Sequence, residues 1–164
     1  MLALEATDVR RAFVNSSRSR AAAATFPTAW PPADVADLDF LGWTDAKAPQ
    51  RAYLVVGPEV VEDGPVAVEL RLGASAPGPR ATMCDWCHAA DAEGGARLVV
   101  APRAGARGRS GDTVGVYVCA DFGCSRRVRR PLKDHQRSVS GMPDTRVADL
   151  VASVRAVVDR VRER

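Results

Sequence analysis

All four cysteines of this 164-residue sequence fall into two pairs. Cys84-Asp85-Trp86-Cys87 is C-x2-C, and Cys119-Ala120-Asp121-Phe122-Gly123-Cys124 is C-x4-C. A C-x2-C turn brings two thiolates to one side, with backbone N–H groups aimed at the sulfurs. The second pair must then come from another element. A zinc ion takes four such soft ligands at tetrahedral corners. The spacing predicts one structural Zn²⁺ held by Cys84, Cys87, Cys119 and Cys124, with no cysteine left over. Four thiolates leave no open position for water, so the ion does no chemistry of its own. Iron accepts the same four ligands. A C-x2-C redox pair is the competing reading, and it leaves Cys119 and Cys124 unexplained.

Other reactive groups form no constellation. His88 follows Cys87 directly but is not needed where four cysteines suffice, and His135 stands alone in a basic segment. Both read as surface or hydrogen-bonded histidines. Asp37 and Asp39 read as solvated loop acids. The glycines from 105 to 111 lie inside a hairpin rather than between a strand and a helix, so they do not make a phosphate loop. No Ser/His/Asp grouping and no paired-carboxylate motif occurs, and the expectation is a protein that is not an enzyme.

The elements that must position the cysteines follow from local pattern. Strands are predicted over 97–102 and 114–119, with the second pair at the end of the return strand. Cys124 opens a short helix over 125–130, stopped before Pro131. Knuckle, hairpin and helix is the order of a treble-clef zinc finger. The hairpin tip, 103–111, holds three glycines and three arginines and reads as a flexible cationic loop. Upstream, residues 52–56 form a strand dense in β-formers. Residues 66–72 alternate strictly and predict a half-buried strand. A short helix is predicted over 7–14, capped by Thr7 or Asp8, with a possible continuation over 19–25. The aromatic cluster Asp39-Phe40-Leu41-Gly42-Trp43 reads as a turn. The small, Pro-rich stretch 73–79 reads as a linker. The C-terminal segment is the strongest helix signal, with Val147, Leu150, Val151, Val154, Val157, Val158 and Val161 on one face.

These readings combine into an α+β fold. A small antiparallel sheet is flanked by an N-terminal helix and a long C-terminal helix, with the treble clef between them. The chain divides into an N-terminal α/β lobe over 1–80, the finger over 81–135 and the helix over 143–164.

Composition excludes several classes. Apolar residues make up 46% and charged residues 26%, as in globular proteins. No apolar run reaches the roughly 18 residues that span a bilayer. The N-terminus does not read as a signal peptide, so a cytoplasmic location follows by default. The net charge is only +3 but unevenly spread. From Arg97 to Arg137, nine arginines and one lysine face three aspartates, a local net charge of +7. Such a basic half suits an anionic partner: RNA, a ribosomal surface or an acidic protein face.

The sequence resembles the elongation factor G-binding protein family, the FusB-like proteins linked to fusidic acid resistance. The motifs that carry the resemblance are Arg11-Ala12-Phe13-Val14-Asn15, Asp39-Phe40-Leu41-Gly42-Trp43 and Ala48-Pro49-Gln50-Arg51-Ala52-Tyr53. They are followed by the C-x2-C pair, Gly115-Val116-Tyr117-Val118-Cys119 and the C-x4-C pair. The match is to that family's C-terminal treble-clef domain and covers nearly the whole chain. The resistance proteins carry a helical bundle ahead of this domain, and the present sequence resembles shorter, actinobacterial-type members. The resemblance implies a zinc domain that binds elongation factor G on the ribosome and promotes its release, with no bond made or broken.

Carried to this sequence, the partner contacts fall on the zinc lobe. They are Arg103, Arg107 and Arg109 of the hairpin tip, and Arg126, Arg127, Arg129 and Arg130 after Cys124. Arg126 and Arg127 also lie close enough in sequence to offset the charge of the metal site. Trp86, inside the C-x2-C turn, is a candidate anchor if it projects outward, with packing on the hairpin as the alternative. Three functions follow: a translation-factor-binding zinc protein with no small-molecule substrate or membrane, an RNA-binding zinc module that contacts rRNA, and a redox or metal-handling protein.

Overall fold

Five runs rich in β-branched and aromatic residues pair into one antiparallel sheet. They are β1 (Phe40–Thr44), β2 (Arg51–Val56), β3 (Val66–Leu72), β4 (Ala96–Pro102) and β5 (Thr113–Cys119), neighbours in that order. The computed structural model describes residues 1, 3–73, 82–90, 92, 94–132 and 143–163. The linker expected over 73–79 lies, beyond Gly73, outside the described residues, and so does His135. The helices are α1 (Ala6–Arg11), α2 (Arg18–Ala22), α3 (Gly105–Arg109), α4 (Cys124–Val128) and α5 (Arg146–Arg162).

The two faces of the sheet carry separate cores. On one face Leu54, Val56, Val68, Val99 and Val118 pack with Leu150, Val154, Val157, Val158 and Val161 of α5 and with the cysteine segment. Valine is a mediocre helix former, so this packing holds α5 in place. The carboxylate of Asp144 accepts the Arg146 N–H at 3.1 Å, which satisfies one of the open donors at the helix start. On the other face Leu41, Trp43, Tyr53, Val55 and Ala67 pack with Val9 of α1 and with Phe13, Phe26 and Trp30.

Three elements depart from the sequence expectation. β3 is buried on both faces over its first five residues, not half-buried, because α1 and α5 cover it from opposite sides. Residues 39–43 are not a turn. Phe40 to Thr44 pair with Val56 to Ala52 of β2 in continuous register, so tertiary pairing overrides the turn signal of Gly42. α1 starts after Glu5 rather than at a Thr7 or Asp8 cap, and ends at Arg11.

Asn15 explains why the first helix stops. β4 pairs with β3 only at Arg71–Val100 and Leu72–Val99, which leaves the edge of β3 open around Ala67 and Glu69. Residues 12–15 fill that edge. Ala67 N–H donates to the Ala12 carbonyl at 2.9 Å, and Val14 N–H donates to the Ala67 carbonyl at 3.0 Å. Asn15 then completes the ladder with its side chain. Its Oδ1 accepts Glu69 N–H at 2.8 Å, and its Nδ2 donates to the carbonyls of Glu69 and Pro102, both at 2.9 Å. One amide thus satisfies backbone groups on two strands that the sheet leaves unpaired.

Asp45 sits in a similar polar knot beside the aromatic cluster. Its carboxylate accepts the hydroxyls of Thr25 and Tyr53, both at 2.6 Å, and the N–H groups of Lys47 and Ala48 at 2.8 and 3.1 Å. Burial alone would raise its pKa, but these donors together outweigh burial and hold it down to about 2. A depressed carboxylate stabilises the fold above its unfolded value of 3.8 and loses that contribution as pH falls towards about 2. Urea unfolding of the wild type between pH 5 and 2 is therefore expected to show a falling midpoint in this window. The Asp45→Asn variant, already less stable at neutral pH, is expected to show a shallower fall. Parallel curves for the two proteins would refute the assignment.

Candidate metal centre

Cys84 and Cys87 lie on a tight knuckle docked against the edge of β5. Cys84 N–H donates to the Ala89 carbonyl at 3.0 Å, and His88 N–H donates to the Cys84 carbonyl at 2.9 Å. Asp85 straps the knuckle down. Its N–H reaches the Tyr117 carbonyl at 2.8 Å, and its carboxylate accepts Tyr117 N–H at 2.7 Å. His88 adopts φ of 55°, a conformation that non-glycine residues rarely take and that closes the knuckle. It is thus a turn residue, and the four cysteines need no help from it.

The second pair comes from two elements. Cys119 is the last residue of β5 and Cys124 the first of α4. Between them Phe122, also at φ 55°, sends its N–H back to the Cys119 carbonyl at 2.9 Å. Its side chain packs against Gly42 of β1, where a Cβ would stand 2.6 Å from ring carbons. Gly42 therefore admits the loop of the second pair onto the first strand.

The four thiol sulfurs all lie within 4.8 Å of one another. Cys84 and Cys124 are 3.7 Å apart, and Cys87 and Cys119 3.5 Å. A tetrahedral ion with Zn–S bonds of ~2.3 Å needs sulfur separations of about 3.8 Å, so the set fits zinc without rearrangement. The same distances are far beyond the roughly 2.05 Å of a disulfide, and all four cysteines are free thiols. Cys84, Cys119 and Cys124 are fully buried. As bare thiols they cannot all ionise. Hydrogen bonding, from Cys119 first, lowers Cys84 and Cys87, while the contacts of Cys124 with Cys119, Cys84 and Cys87 push it up. A divalent ion replaces those shared protons and allows four thiolates.

A sequence model of the FBP C-terminal treble-clef zinc-finger family matches residues 8–161. The chain belongs to this family. No curated protein and no solved structure matches it. The four cysteines form the single zinc site of the FBP-type finger, with knuckle, hairpin and helix in treble-clef order.

A four-thiolate zinc site carries net negative charge. Arg127 stands beside it, only 12% exposed, and pairs with Asp121 at 2.7 Å. Asp121 first, and then Cys119 and Cys124, favour its charge more strongly than burial opposes it. Arg126 points elsewhere, in a two-pronged pair with Asp34 at 2.6 and 2.9 Å.

The structure sorts the residues expected at the partner face. Trp86 is not an outward anchor. It is 2% exposed and packs edge-on against Phe40 at 5.1 Å, because Asp85 faces β5 and turns the next side chain into the core. The hairpin tip is not a flexible loop. Residues 105–109 make one helical turn, docked on α5 by Ala104 N–H to the Val161 carbonyl at 2.7 Å. Gly108 permits this closure, since a Cβ there would meet the Arg103 carbonyl oxygen. Arg103 is 12% exposed and ties the tip to α5. It pairs with Asp112 and with Glu163 and donates to the Arg160 carbonyl. Arg129 forms a two-pronged pair with Asp39 at 2.6 and 2.9 Å, while the Ser125 hydroxyl accepts Asp39 N–H. Asp39 is thus buried and paired, not a solvated loop acid.

Arg107 pairs with Asp112 but remains 44% exposed. Arg109 and Arg130 are exposed and carry no ion pair among the described residues. The sequence offered no signal for Asp34 and Asp39 as arginine partners, because these pairs join positions 92 and 90 residues apart.

Proposed function

We propose that this protein is a non-enzymatic, cytoplasmic binding protein for elongation factor G, on or off the ribosome, with the FBP-type finger as its recognition element. The observation that carries this reading is the family match, which runs over 8–161, from α1 to α5. The closed four-thiolate site supports a role without catalysis, since a fully coordinated ion offers no place to water or substrate. Arg109 and Arg130 supply contacts directly. Arg107 and Arg126, both in exposed pairs, are able to exchange partners at little cost, because such pairs contribute only ~0–1 kcal/mol. Arg103, Arg127, Arg129 and Trp86 hold the fold instead.

Binding of rRNA through the same lobe is the weaker reading. Carboxylates hold Arg103, Arg107, Arg126, Arg127 and Arg129, so only Arg109 and Arg130 of the seven nominated arginines meet a phosphate without first displacing a carboxylate. Capture of purified elongation factor G by the zinc-loaded protein tests the proposal. Capture that survives high salt is expected, because the exposed Met83, Leu98 and Tyr117 offer apolar contacts that share the load with charge. Absence of capture at any salt, from protein with one zinc per chain, would end this reading while leaving the finger intact.

A further inference from the structure

A groove opens away from the metal, where residues 14–20 pass between β3 and α3. It encloses about 510 Å³, and Ser16, Arg20, Glu69, Arg71, Arg103 and Arg109 contribute to its walls. Four arginines there face one carboxylate. Glu69 is already satisfied by the Ser16 hydroxyl at 2.6 Å and by Arg20. Arg103 is held by Asp112 and Glu163. Arg71, on the outward side of β3, and Arg109, on α3, remain exposed with no ion pair among the described residues. The Nε–H of Arg20 is buried and has no hydrogen-bond partner. The groove thus carries two unneutralised guanidiniums, in walls of mixed polarity with no aromatic side chain.

We propose that this groove binds a phosphate group, bridged by Arg71 and Arg109. A guanidinium fork matches phosphate oxygens in pairs, and two forks on opposite elements suit a group with several acceptors. Without an aromatic wall there is no platform for a base to stack on, so the groove recognises phosphate and not sequence. The same chemistry takes a phosphodiester of an RNA strand or a free phosphate ligand. The site lies away from the metal, shares Arg109 with the proposed partner face, and does not rest on binding to elongation factor G.

The probes are a fluorescein-labelled 12-mer of oligouridylate, read by anisotropy at several salt concentrations, and inorganic pyrophosphate, read by calorimetry. The full-length, zinc-loaded protein is used throughout. Replacing both cations (Arg71→Gln with Arg109→Gln) is expected to weaken whichever probe binds about tenfold or more. For the oligonucleotide the log–log salt slope is expected to fall by about one at most, since the two forks hold a single phosphate group. The melting temperature should not move, since neither side chain holds a carboxylate. A control with the same charge change elsewhere (Arg11→Gln with Arg155→Gln) is expected to stay within about twofold. Oligonucleotide binding without pyrophosphate binding assigns the site to a strand, and pyrophosphate binding assigns it to free phosphate. Binding of neither probe by the wild type, or an equal loss in the control, overturns the proposal.

Discussion

Replacing Cys119 by serine is expected to abolish stoichiometric zinc and to lower the melting temperature by about 10 °C or more, from a loss of at least ~3 kcal/mol. Three of the four cysteines are fully buried, so a missing ligand cannot be replaced by solvent without opening the finger. Cys84, Trp86, Cys119, Phe122 and Cys124 belong to the same apolar cluster as β2 to β5 and α5. Loosening the knuckle withdraws Trp86 from Phe40, and loosening the second pair withdraws Phe122 from Gly42. The opposite face has its own core, so secondary structure there should persist. A chelator strong enough to strip the wild-type protein should reproduce the variant, with Trp86 emission shifting to the red. Metal content and melting temperature measured on one sample decide the matter. A Cys119→Ser protein with one zinc per chain and an unchanged melt would show that this thiolate is not a ligand.

The second large effect is expected at Asn15, far from the metal. Asn15→Ala removes three hydrogen bonds and strands the Glu69 N–H and the Glu69 and Pro102 carbonyls. Each stranded buried group costs about 1–3 kcal/mol, less where water reaches it, so a total of roughly 3–5 kcal/mol is expected. Asn15→Asp should do little better. It keeps an acceptor for Glu69 N–H but turns a carboxylate towards two carbonyls and towards buried Glu69. Chemical denaturation with zinc content assayed in parallel separates this from a metal effect, since the variant should retain its full zinc. A change below about 0.5 kcal/mol, the scale of ordinary surface substitutions, would mean that water replaces the amide without loss.

Both residues belong to motifs that stood out in the sequence, but for different reasons. The cysteines were legible because ligand spacing is a local property: a C-x2-C turn places two sulfurs together whatever surrounds it. The strands β2, β3, β4 and β5 and the helix α5 were legible because β-formers and hydrophobic period mark the type of a segment, although the period of β3 did not reveal that both its faces are buried. Asn15 was visible only as the last residue of the motif Arg11-Ala12-Phe13-Val14-Asn15. Its role depends on the gap that β4 leaves beside β3, and no residue near Asn15 encodes that gap.

The sequence by itself determined the metal site, the α+β class and the order of knuckle, hairpin and helix, because each follows from spacing within a few residues or from hydrophobic period. Only the tertiary structure decided which charges and aromatics face outward. Trp86 turns inward because Asp85 straps its knuckle to β5. Arg129 loses its freedom to the buried Asp39, which the fold returns from 90 residues away. Residues 40–44 become a strand because β2 pairs with them and Gly42 accepts the Phe122 ring. A side chain's type sets what it is able to bind. Which partner it finds depends on chain segments far apart in sequence, and burial makes that choice binding, because an unpaired charge in the interior costs more than the turn or helix preference it overrides.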